Sequence, residues 1–112
     1  MSSVYVDGIR YLSVAHAYQA MKTTDQEVRV WMSKLKTPGE AYTIGRKLPI
    51  REDWNDVKEA IMLDLLRKKF ENPILAVFLS EITSEDIGEG WLASMLKQVR
   101  CEVIEQLKQD GV

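Results

Sequence analysis

Ser13-Val14-Ala15-His16-Ala17-Tyr18-Gln19-Ala20-Met21-Lys22 is the stretch on which the fold turns. Val14, Ala17, Tyr18 and Met21 recur at i, i+3, i+4 and i+7, the spacing of an apolar helical stripe, and Ser13 stands where an N-cap belongs. The opposite stripe is Ala15, Gln19 and Lys22. Just before it, Val4 to Leu12 alternates apolar and polar around Asp7-Gly8, a turn pair that predicts a two-residue hairpin. A lone hairpin is marginal in water, so Val4, Val6, Ile9 and Tyr11 must pack against helices.

Beyond Lys22 the pattern stays helical. Thr24 or Asp25 can cap a helix over residues 26–35, and Thr37-Pro38-Gly39-Glu40 has the form of a capping box with proline at the first helical position, opening a short helix that ends near Gly45. Residues 46–52 carry Pro49 and three cations, which reads as an extended connection. Trp54, Val57, Ile61, Leu65 and Met62 or Leu66 mark a long helix over residues 53–71, stopped by Asn72-Pro73. Residues 74–82 are apolar on nearly every side, predicting the central and most buried helix. Residues 83–90 read as a polar loop. A last helix over 91–110 aligns Leu92, Met95, Leu96, Val99, Val103 and Leu107, with Gly111 as its C-terminal cap. The fold class expected is mainly α (α+β): one compact domain over residues 1–112, of five or six helices with a small N-terminal β-hairpin.

Length and composition agree. At 112 residues with 46% hydrophobic content the chain has material for one core, and a chain of this size buries roughly two-thirds of its unfolded surface. A net charge of −2 gives no global attraction to nucleic acid or anionic membrane. No window approaches the run of about 18 apolar residues of a membrane span. The single Cys101 and the lack of a signal-like start point to a reducing, cytoplasmic setting.

Standard chemical motifs are missing. One His and one Cys, far apart, do not make a metal site, and neither a Gly-x-Ser-x-Gly elbow nor a glycine-rich phosphate loop occurs. What remains is a polar constellation: His16, Gln19 and Lys22 on the first helix, and Arg46, Lys47, Arg51, Asp53 and Trp54 around Pro49. Taken singly, each has a plainer reading: a hydrogen-bonded His, a surface amide, a solvated Lys, a packed Trp and a solvated cationic loop.

The residues from Ser13 to Lys22 nevertheless resemble the Val-Glu-His-x-Tyr-Gln-Ala-x-Lys signature of the NADAR family. Gly45-Arg46, Arg51-x-Asp53-Trp54, Lys69-Phe70 and Val99-Arg100 resemble further family segments in the same order. The resemblance implies an N-glycosidase or ADP-ribosyl glycohydrolase, acting on a phosphorylated riboflavin-pathway intermediate or on ADP-ribosylated base in nucleic acid. It implies no cofactor and no metal. Lys22 would be the catalytic amine, and His16, Gln19, Arg46, Arg51, Asp53 and Trp54 would bind a ribosyl-phosphate or ADP-ribosyl ligand. Where the motif has Glu, this chain has Ala15, and residues 84–91 are a reduced form of the family's Gly-rich loop. Two other readings stay open: an inactive module that binds ribosyl phosphates, and a small helical interaction protein forming a homodimer.

Overall fold

The computed structural model describes residues 2–111. Among them, strands β1 (Val4–Val6) and β2 (Ile9–Tyr11) precede seven helices: α1 (Val14–Ala20), α2 (Gln26–Ser33), α3 (Pro38–Gly45), α4 (Trp54–Lys69), α5 (Pro73–Glu81), α6 (Ser84–Ile87) and α7 (Trp91–Gln109). The fold is mainly helical with a small N-terminal hairpin. Two compact units meet between Leu65 and Leu66. That division falls inside the continuous helix α4, so no linker composition marks it.

In the first unit, β1 and β2 pair antiparallel with Val4 opposite Tyr11 and Val6 opposite Ile9. Asp7 and Gly8 both have positive φ, 50° and 80°, the geometry of the tight turn that suits twisted strands. Val4 and Tyr11 enter a core with Ala17, Ala20, Met21, Met32, Trp54 and Leu65, and Val6 and Ile9 pack against it. The hairpin is thus held by helices, as its marginal independent stability requires.

Polar caps set the helix starts. The Ser13 hydroxyl accepts from the His16 amide, Asp25 from Glu27 and Val28, and Thr37 from Glu40. At α3 only the Thr37 half of the expected capping box is recorded.

α1 packs on α3 through a close approach of Gln19 to Gly45. A Cβ built on Gly45 would stand 2.9 Å from the Gln19 Cβ and Cδ and closer still to its Oε1. Glycine is therefore needed here for space rather than for backbone freedom.

In the second unit, Asn72 caps α5 by accepting from Ile74 and Leu75. Arg100 on α7 donates from Nε to the Ile82 carbonyl at 2.6 Å, and Arg67 makes a two-pronged ion pair with Glu102, at 2.8 and 2.9 Å. Gly111, with φ of 76°, ends α7 as expected.

Three expectations need correction here. α5 is not the most buried helix: Ala76 and Leu79 are buried, but Ile74 is 80% exposed and Phe78 63%. Apolar residues on every side give no stripe, so the pattern could not say that only one side is covered. On α7, Leu92 is 45% exposed while its neighbour Ala93 is buried, so the buried face starts one position later. Within residues 83–90, Thr83 and Asp86 form a reciprocal capping box that closes the one-turn α6, where a loop was expected.

Two outcomes test this packing. Gly45→Ala should cost about 1–3 kcal/mol by overpacking, and Gln19→Ala should remove the part of that cost that comes from the Gln19 Cδ and Oε1 and leave the part from its Cβ, read as coupling in a double-mutant cycle by urea denaturation. Met32→Ala, at a fully buried site, should cost roughly 2–5 kcal/mol, whereas Ile74→Ala should stay within about 0.5 kcal/mol.

Candidate functional site

α1 carries His16 and Gln19, and the turn after it carries Lys22, since the helix ends at Ala20 and does not run on to Lys22 as expected. His16 has no exposed surface. Its Nε2 lies 2.9 Å from the Leu35 carbonyl and its Nδ1 2.7 Å from the Ser13 hydroxyl. A carbonyl can only accept, so the proton sits on Nε2 and Nδ1 is left to accept from Ser13. Both ring nitrogens are thereby engaged inside the protein, and His16 has none free for the ligand contact expected of it. Its role here is to anchor α1 to the segment that follows α2.

Gln19 is 8% exposed, and its Oε1 is buried without a hydrogen-bond partner among the described residues. An acceptor in that state is costly unless something donates to it, by about 1–3 kcal/mol. Lys22 is half-buried in the turn just beyond the end of that helix. Burial pulls the Lys22 ammonium below the ordinary lysine range, because the charged form loses solvation. Ala15 is exposed, one turn before Gln19.

The connection after α3 returns to this point. The Arg51 amide donates to the Lys22 carbonyl at 2.8 Å, so the two main chains are tied together. Arg51 donates from Nε and Nη2 to the two oxygens of Asp53 at 2.6 and 3.0 Å, and from Nη1 to the Met21 carbonyl at 3.5 Å. Those bonds hold the Asp53 carboxyl below the usual carboxylate range and raise the Arg51 guanidinium above its own. Of the five guanidinium N–H groups, these contacts leave two for a ligand.

Trp54 is 7% exposed, and its ring meets that of Tyr18 at 5.1 Å between centroids, tilted by 57°. The favourable edge-tilted contact makes it part of the core wall behind the site. Arg46 is exposed and stands over the Tyr42 ring at 5.5 Å. The structure therefore brings Lys22, Arg51, Asp53 and Trp54 together through the tie at residue 51, while His16 and Arg46 have other engagements.

A cavity of about 220 Å³ borders this cluster through Met21, the residue before Lys22, and is also lined by Val6, Val57, Ile61 and Asp64. Asp64 escaped the sequence reading. Its signal was present: a carboxylate falls at i+7 from Val57, where the apolar stripe of α4 would place another hydrophobic residue. Among the described residues no group of three or more His, Cys, Asp or Glu side chains could hold a metal ion, and no helix is long and apolar enough to cross a membrane.

Comparison with known proteins places this arrangement. No protein-family model matches the chain. Over 70 residues, 61% of its length, it is 36% identical to the N-glycosidase YbiA of Escherichia coli strain K12, and equally to those of Shigella flexneri and Shigella boydii. That match spans 44% of those relatives, under half of their length. The solution NMR structure of the Escherichia coli protein YbiA superposes with a TM-score of 0.70 at 30% identity, covering 97% of this chain and 74% of that one. On that likeness of sequence and structure together, the chain belongs to the NADAR family, the family of the N-glycosidase YbiA.

Proposed function

We propose that the protein cleaves a ribosyl C–N glycosidic bond, in an ADP-ribosylated base or in a phosphorylated riboflavin-pathway intermediate, with Lys22 as the amine that engages the sugar. The observation that carries this reading is the half-buried Lys22 with its lowered pKa, tied through the main chain to the Arg51–Asp53 pair. An amine attacks only when neutral, and burial enlarges that fraction at a given pH. The neutral amine bonds to the anomeric carbon as the C–N bond to the base breaks, positive charge building on the sugar and the leaving nitrogen taking up a proton, and water then displaces the amine and leaves its hydroxyl on that carbon. Asp53, locked as an anion by Arg51, suits stabilisation of that charge and is unsuited to giving a proton. The two unspent N–H groups of Arg51 match phosphate oxygens. When the base belongs to nucleic acid, the modified strand is the partner.

A second reading rests on Ala15. Without a carboxylate at that position, the same pocket would bind ribosyl phosphates and release them uncleaved. Ala15 is exposed, so a glutamate fits there without repacking. In the catalytic reading Ala15→Glu raises C–N cleavage by roughly 100-fold or more, the usual scale of general acid–base assistance, measured by product chromatography with ADP-ribosylated guanine as substrate. A folded, ligand-binding Ala15→Glu protein that stays inert selects the binding module.

The second test is the pH profile. Because burial lowers the Lys22 pKa, the neutral amine accumulates as pH rises, with its midpoint below the ordinary lysine value of about 10.4. The cleavage rate should therefore climb with pH with a midpoint below that value, and Lys22→Ala should abolish it. A midpoint at or above the ordinary value removes Lys22 as the nucleophile.

A further inference from the structure

Apart from the Lys22 cluster, the segment joining α2 to α3 frames a cavity of about 480 Å³, lined by Trp31, Leu35, Glu40, Thr43 and Ile44 among others. Such a volume is within the range of small-molecule sites, roughly 300–1,000 Å³. None of the residues assigned to the glycosidase site lines it.

Its chemistry is one-sided. Trp31 is 51% exposed, although the neighbouring Met32 on the same helix is fully buried, so a broad indole surface is left open to the cavity. Leu35 and Ile44 pack against the core of the unit and give the cavity an apolar floor. Each hydroxyl has one partner within the protein: Thr37 accepts from the Glu40 amide at 3.1 Å, which leaves its O–H to donate, and Thr43 donates to the Gly39 carbonyl at 3.0 Å. The Glu40 carboxylate is exposed and, among the described residues, has no hydrogen-bond or ion-pair partner. Lys34 and Lys36 are exposed and line no part of the cavity.

An aromatic face with its negative π-cloud, an unpaired anion and an apolar floor together fit one class of small molecule. A flat ring with a delocalised cation satisfies all three, by stacking on the indole, covering Leu35 and Ile44, and pairing with Glu40. A neutral ring leaves the carboxylate unpaired, an anion is repelled by it, and an aliphatic ammonium leaves the floor uncovered. We propose that this cavity is a second ligand site, for a planar aryl cation of the amidinium or guanidinium type. Trp31 is the stacking surface and Glu40 the counter-ion. The site is independent of the glycosidase reading, because it shares no residue with the Lys22 cluster.

The test is a titration with benzamidinium and with its neutral counterpart benzamide, followed through the indole N–H resonance of Trp31, which a Trp31→Phe variant identifies. Benzamidinium should shift that resonance saturably and bind at least about tenfold more tightly than benzamide. Glu40→Gln should reduce benzamidinium to the benzamide level, while Lys22→Ala should leave both titrations unchanged. Both Glu40 and Trp31 are exposed, and far-ultraviolet circular dichroism of each variant checks that α2 and α3 persist. Equal affinity for the two probes, an unchanged Glu40→Gln protein, or a Trp31 resonance that does not move would each overturn the proposal.

Discussion

The ring of His16 holds the first unit in register. α1 has seven residues, too few to be stable as an isolated helix, so its placement comes from what it touches. One nitrogen of the ring faces the Ser13 hydroxyl that also caps the helix, and the other donates to the Leu35 carbonyl, nineteen residues away in sequence. The ring itself has no exposed surface, so losing either contact would strand one of its nitrogens inside. The start of α1 and the end of the α2 segment are thereby fixed to one another, and Gln19 and Lys22 on the following turn inherit that position. The Gln19–Gly45 approach and the Arg51–Lys22 tie both depend on it.

The parts of the fold that were legible in the sequence are those whose signal is local. Asp7-Gly8, Asn72-Pro73, Thr37-Pro38 and the final Gly111 each carry a backbone preference that needs no tertiary context, and each acts in the structure as its chemistry demands. Amphipathic stripes were nearly as plain, because Trp54, Val57, Ile61 and Leu65 have polar neighbours to contrast with. α5 lacks that contrast. Its residues differ little in polarity, so which of them meet protein is decided by where α7 lies, and no periodicity contains that. The Leu92 and Ala93 exchange has the same origin, since small residues are favoured where helices approach closely.

For the candidate site the division is similar. The spacing put Gln19 and Lys22 on one stripe, and in the structure Gln19 is buried while Lys22 is half-buried. What spacing could not show is that His16, only three residues before Gln19, belongs to the interior, because its partner Leu35 is remote in sequence. Nor could it reveal that the Arg51 fork is filled by Asp53 two residues later. Both are cases of polar groups finding protein partners where a ligand had been expected. The resemblance to the family located the cluster, and the hydrogen bonds then separated residues facing it from residues supporting it.

Position 51 has one further consequence. Its amide and its side chain answer to separate demands: the amide bonds to the Lys22 carbonyl, and the guanidinium bonds to Asp53 and Met21. Any residue with a backbone N–H satisfies the first, whereas the second asks for arginine. The location of the lysine and the charge around it are consequently independent variables. Over evolutionary time the charge beside Lys22 can be retuned by single substitutions without losing the main-chain bond that positions it, with proline as the one replacement that would break both at once.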